Sequence, residues 1–519
     1  MYPSNLARHL DPLEQKILEQ RGVFDLPDRS MCDTLVETFF TWVAPIVPII
    51  DRLDFIRHYQ DPTSPPSLLL LHAMFTVASR SCSFGSQGTG VSSPRSFYKK
   101  AKALYDAGYE QDPIPLMQST LLLGLYWEGP EDITENGLFY WSRLSIALAQ
   151  AQGLHLSERM SSYSLSTQRL LWRIWWALYT RDRAVAAAFG RPTHVDLDDC
   201  TIESLTLQDF EEGIDCSDRF HGDEDENALY FIEYVNLWRI LGKIPSQVNS
   251  SSPMLAGQIR HTAQELDAWY MSCPSKMHWR PSCHKFLPSL LCSSYYAAIC
   301  SIHLPCLPEL SEESQLSCLN AATMIVSVLE TLHSHQQLQY TPTFVIWHAL
   351  LSYVSFKVRL TSRSPLLLYT LERSMDTLIQ LLRKLSSVWP IATPVVELLQ
   401  TATSNNRFSE VMKIARSRLQ QQANSGQILA AEQPRHTPIR RPTPKHILLP
   451  RSRIVVRSMV SGVLHHRIVE VVQKLYMLTN LALSVTQEIF YRFFINMLDL
   501  GSLWRTELTL SAITVPSTD

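Results

Sequence analysis

Asp196, Asp198, Asp199 and Glu203 bring several carboxylates into one short stretch, an arrangement that can hold a hard cation. A paired metal site would need a second motif with Asn, Ser and Glu at four-residue steps, and none of the asparagines begins one. The expectation is that these acids cap the next helix and meet surface cations. Cys300 and His303 fall on one helix face, but two ligands do not make a zinc site, so both read as core residues. His155 follows Gly153, where an imidazole commonly bonds the last carbonyls of a helix. From Asp209 to Glu226 nine acidic residues accompany one Arg, the composition of a solvated loop. Arg435, Arg440, Arg441 and Lys445 open a stretch to Arg467 with eight Lys/Arg and no acid, suited to a nuclear import signal or a phosphate contact. A basic disordered linker has the same composition. No G-x-S-x-G, H-E-x-x-H or Walker A pattern occurs, so no catalytic residue, cofactor or metal is assigned.

The element best able to position anything is RLLWRIWWALYTRDRAVAAAFGRP, Arg169 to Pro192. It holds no Pro or Gly before Gly190, and Leu171, Ile174, Trp175, Leu178, Val185 and Phe189 recur at helical steps. Gly190 supplies a left-handed stop and Pro192 prevents resumption. Trp172, Trp175 and Trp176 occupy more than one side, which predicts a central helix covered by neighbours. Asp182 interrupts the apolar stripe, so its carboxylate needs a hydrogen-bonded or cationic partner, expected from Arg181, Arg183 or a cation elsewhere. Arg183 stands four residues after Tyr179, within reach for a cation–π contact.

The residues Trp175, Trp176, Tyr179, Asp182, Arg183, Gly190, Arg191 and Pro192 carry a resemblance. Their spacing resembles the signature of the regulatory, or middle homology, region of fungal binuclear zinc cluster transcription factors, in the branch containing the cutinase-gene regulators. FFTWVAPIVPIIDRLDF resembles the opening motif of that region, with Ala44 where His is common. LPSLLCSSYYAAICSIHLPCL resembles a buried helix of the family, with Leu304 where Arg is usual. The resemblance implies an all-α regulatory domain in a nuclear transcription regulator of nutrient-use or secondary-metabolite genes. It also implies other transcription regulators as partners, a homo- or heterodimer, and in some members a small-molecule effector. The family's DNA reader needs six closely spaced cysteines with C-x-x-C openings. None of the ten cysteines here forms a C-x-x-C, and only Cys32 precedes Cys82. Direct DNA contact is therefore expected only through an upstream zinc cluster, and otherwise through a partner.

Composition agrees with a folded protein. Of 519 residues 45% are hydrophobic and 18% charged, and a net charge of −3 gives no global attraction to nucleic acid or anionic membrane. The irregular cysteine spacing suggests free thiols. The N-terminus lacks the apolar segment of a signal peptide. The uncharged run Phe286 to Pro308 is broken by prolines and serines, so it reads as a buried helix and no membrane span is expected. The fold class is a multi-helix array around the Trp-rich helix. Residues 1–30 read as a polar leader, 31–422 as the regulatory domain, and 423–519 as a basic Pro-containing linker with an apolar tail. Two other function classes are open to this sequence. One is a ligand-sensing or dimerising module that titrates a related regulator without activating transcription. The other is a helical enzyme.

Overall fold

The computed structural model describes residues 10–82, 93–126, 137–189, 192–211, 223–243, 253–304, 312–359 and 365–403. All elements among them are helical, apart from one isolated bridge between Arg280 and Cys283, as the all-α reading requires. The first compact unit runs to Val396; the second begins at Glu397, and only its residues 397–403 are described. The expected domain limit at 422 and the tail from 423, including Arg435, Arg440, Arg441 and Lys445, lie outside the described residues.

Helix starts are written into the sequence. Asp11, Asp28, Asp51, Ser67, Ser93 and Asp112 each accept a hydrogen bond from a backbone N–H of the first turn they precede. They begin α1 (Pro12–Gln20), α2 (Arg29–Thr38), α3 (Arg52–Gln60), α4 (Leu68–Ala78), α5 (Pro94–Asp106) and α6 (Pro113–Leu123). Proline opens α1, α5 and α6, where its missing N–H costs nothing. α2 passes into a π-type turn at Phe39–Val43, and beyond Pro45 and Pro48 helix resumes at Arg52. Within that turn Trp42 stacks on Tyr340 at 4.0 Å and meets Phe286 edge-on at 5.0 Å.

Every residue of α4 is buried, and it packs against α2, α5 and α6. A helix apolar on all sides can only be interior. Its one histidine is accommodated because His72 Nε2–H donates to the carbonyl of Val23 at 2.7 Å. The segment read as a polar leader is therefore part of the packed body from Pro12 onward. Leu18 and Val23 are buried, and Lys100 Nζ donates to the carbonyl of Asp25 at 2.7 Å. Two isolated apolar residues and a main-chain carbonyl anchor it, a pattern with no periodicity to read.

The chain continues through α7 (Leu138–Ala151), the short α8 (Ser157–Met160), α9 (Leu165–Phe189), α10 (Asp223–Leu241) and α11 (Pro253–Ser272). It ends with α12 (Phe286–His303), α13 (Glu312–Ser334), α14 (Phe344–Arg359), α15 (Pro365–Leu385) and α16 (Ala392–Thr403). α12 is buried on nearly every face among α10, α11, α13 and α14, with Cys300 and His303 in the core. By length and composition α13 alone among the described helices could cross a membrane. Its apolar residues from Cys318 to Leu332 are instead covered by α12, α14 and α15. The interior is thus built around α4 and α12 as much as around α9.

Candidate functional site

α9 begins at Leu165, four residues before Arg169, because Ser164 Oγ accepts the N–H of Thr167 at 3.3 Å. From Leu171 to Thr180 only Trp172 keeps appreciable exposure. Trp175 is wholly buried, with the ring of His155 5.9 Å away. His155 does not use its ring on a helix carbonyl as expected; its own carbonyl accepts the N–H of Thr201 at 3.0 Å. Gly190 and Arg191 lie outside the described residues, and the chain is described again from an exposed Pro192.

From Pro192 onward the backbone lies beside α9, and the signature side chains hold it. Asp182, 3% exposed, accepts through Oδ2 from the backbone N–H of His194 at 2.7 Å and of Val195 at 2.9 Å. Arg183 donates from Nη2 to the carbonyl of Val195 at 2.7 Å and lies 5.1 Å from the ring of Tyr179. One acid and one base on adjacent residues thus grip both the donor and the acceptor of Val195. From α7, Arg143 Nη2 donates to the carbonyl of Pro192 at 2.6 Å. Further along, Trp176 Nε1 donates to the carbonyl of Glu203 at 3.0 Å. Arg239 of α10 donates to Ser204 Oγ at 2.8 Å and sits 5.7 Å from the Trp176 ring. Tyr179 closes the set by donating to the carbonyl of Trp238 at 3.5 Å.

The hydrogen-bond partners of Asp182 are therefore backbone amides, where the sequence pointed to a guanidinium. Burial raises the Asp182 carboxyl above its ordinary range; the Val195 N–H and the charges of Arg143 and Arg183 oppose that rise. The carboxylate is committed to main-chain donors, so the arrangement is a latch rather than a reactive centre. Arg143, Arg239 and Gly242 were not singled out by sequence reasoning. Arg143 could have been, as the lone cation in the otherwise uncharged run LFYWSRLSIALA. Gly242 could not: a Cβ there would stand 3.0 Å from the carbonyl of Trp238 and 3.1 Å from the Tyr179 hydroxyl, a contact only the fold creates.

Asp196, Asp198, Asp199 and Glu203 are exposed on the returning segment, with Asp196 Oδ1 accepting the N–H of Asp198 at 3.1 Å. They cap no helix. The next helical turn is opened instead by Thr206, whose N–H and hydroxyl both donate to Asp209. Asp209, expected in a solvated loop, is buried there; residues 212–222 of that loop are outside the described residues. Among the described residues no group of three or more His, Cys, Asp or Glu is placed to hold a metal ion.

Residues 36–271 match the fungal specific transcription factor domain, a span from α2 to α11 that contains the whole latch. Cutinase transcription factor 1 alpha of Fusarium vanettenii is 38% identical over 425 residues, covering 78% of this chain and 46% of that protein. This chain carries a fungal specific transcription factor domain. The acetamidase regulatory protein of Aspergillus fumigatus is 25% identical over 409 residues, 76% of this chain and 50% of that protein. The fusaric acid cluster transcription factor of Gibberella fujikuroi is 29% identical over 285 residues, 53% of this chain and 41% of its own length. These relatives are named as regulators, not as enzymes. The chain spans about half the length of the curated relatives it matches. No solved structure matches it. In this member of the domain family, Trp176, Tyr179, Asp182 and Arg183 fasten the segment that follows α9, and Trp175 anchors α9 itself in the interior.

Proposed function

We propose that this protein is a nuclear transcription regulator controlling a metabolic gene set, acting through a regulatory domain that spans residues 31–422. Its DNA contact comes from a zinc cluster module or from a partner regulator bound as a homo- or heterodimer. The observation that carries the reading is the likeness to a cutinase transcription factor along 78% of the chain. The latch supports it, since a domain of this kind must hold one arrangement to pass a signal to an attached DNA reader.

Tethering tests the reading. Fused to a heterologous DNA-binding module, the full chain is expected to change transcription of a reporter carrying the cognate sites, relative to the module alone. An unchanged reporter, together with absence of the untethered chain from chromatin, would overturn the proposal. We also assign nuclear import to Arg435, Arg440, Arg441 and Lys445. Replacing all four with alanine should move a fluorescent fusion from nucleus to cytoplasm; unchanged nuclear fluorescence would refute that assignment.

A further inference from the structure

The end of α10 meets the latch at a residue without a side chain. Gly242 directly follows α10, and its N–H donates to the carbonyl of Trp238 at 2.8 Å. Among the described glycines Gly22, Gly108 and Gly153 have a positive φ, and Gly242 does not. Backbone conformation alone would therefore admit alanine at 242, and a change from Gly to Ala at such a position ordinarily stabilises a protein by restricting its unfolded chain. What borders the missing methyl is the latch itself. A Cβ there would stand 3.1 Å from the Tyr179 hydroxyl and 3.5 Å from Arg183 Nε, besides 3.0 Å from the Trp238 carbonyl.

Arg183 Nε is enclosed and has no hydrogen-bond partner, so the guanidinium is seated by its Nη2 bond to the Val195 carbonyl and by the Tyr179 ring 5.1 Å away. Tyr179 in turn is placed by the Trp238 carbonyl, which its hydroxyl meets at 3.5 Å. The contacts therefore run in order from Gly242 to Tyr179 and Arg183 and on to Val195. In the same turn of α10, Arg239 holds Ser204 Oγ, so α10 also touches the segment after α9 directly. A series of packed contacts of this kind is a physical route for coupling, and coupling is reciprocal. We propose that Gly242 is a positioning residue that couples the C-terminal end of α10 to the segment after α9. Its missing side chain lets Tyr179 and Arg183 seat together, and that seating sets how firmly Val195 is held. A methyl group at 242 displaces the Tyr179 hydroxyl, and Arg183 with it, and loosens the hold on Val195. The coupling is a property of the fold; its effect on transcription rests on the regulatory reading.

The test is hydrogen exchange, followed by mass spectrometry on the purified full chain. Gly242→Ala is expected to speed exchange of the Val195 amide about tenfold, the scale of overpacking one buried contact. Tyr179→Phe deletes the atom that the methyl meets. The double variant Tyr179→Phe, Gly242→Ala should therefore exchange at Val195 within about twofold of Tyr179→Phe alone. An alanine acting on α10 and nothing else would give the same acceleration with either residue at 179. Reciprocity supplies the second arm: Asp182→Asn loosens the segment from its other side, and the Gly242 amide should then exchange faster. That arm decides the matter if Gly242→Ala does not fold. The inference is overturned if Gly242→Ala leaves Val195 exchange as in the parent, if it acts equally in the Tyr179→Phe background, or if Asp182→Asn leaves Gly242 exchange unchanged. Because exchange is read on isolated protein, a negative result here leaves the tethered-reporter outcome standing on its own.

Discussion

Asp182→Ala is expected to lower the free energy of unfolding by about 3 kcal/mol at pH 7, the cost of removing one member of a buried charged network. The mechanism is specific. The N–H groups of His194 and Val195 lose their acceptor, and the charges of Arg143 and Arg183 lose the carboxylate that faces them. Asp182→Asn keeps an acceptor oxygen of the same shape but not the charge, so its cost should be smaller, about 1–2 kcal/mol. Urea denaturation midpoints of the three proteins give the ordering directly. In the tethered reporter D182A should lose most of its effect while D182N keeps part of it. A D182A midpoint indistinguishable from the parent would show that the latch is not what holds the segment after α9.

The second large effect is acid sensitivity. His72 lies in the fully buried α4 and is held down to about 4, chiefly by burial, although the carbonyl of Val23 favours its charged form. His348, enclosed in α14 with Nδ1 3.1 Å from Ser293 Oγ, is held by burial to about 3. In the unfolded chain both return to the ordinary value near 6.5. Between that value and their folded values the unfolded state binds more protons than the folded one, so stability is complete above pH 6.5 and falls as the pH drops. At about 1.4 kcal/mol for each unit and each group, acidification to pH 5 removes roughly 4 kcal/mol. Asp182, whose carboxyl is raised by burial, works in the opposite direction. That loss is a large part of the stability of an ordinary domain. Thermal midpoints measured from pH 7.5 to pH 5 should fall steeply, and the double variant His72→Gln, His348→Gln should flatten the curve. An equally steep fall in the double variant would place the acid sensitivity elsewhere.

Much of this architecture is legible in the chain because helices announce themselves by period and by their ends. The apolar stripe of α9 and the Tyr179–Arg183 contact follow from helical spacing alone. The burial of Asp182 follows from its place on that stripe. What does not follow is which donors answer it, since the amides of His194 and Val195 reach Asp182 only because the segment from Pro192 to Val195 lies beside α9. The same limit explains the N-terminal segment, whose anchors Leu18 and Val23 have no period, and the early start of α9, where a serine cap opens a helix in a polar, Ser/Thr-rich stretch. Arg181 shows the limit in another form. Its helical position was plain, but its bond to the carbonyl of Gly124 appears only once α6 lies beside α9.

The grip on Val195 also bears on how this region can drift over evolutionary time. Asp182 and Arg183 read the peptide unit, not the identity of the residue carrying it. The neighbouring His194 is exposed, and it enters the contact through its amide. Position 194 can therefore accept almost any amino acid without loosening the fold, proline excepted, because an imino acid has no hydrogen to give.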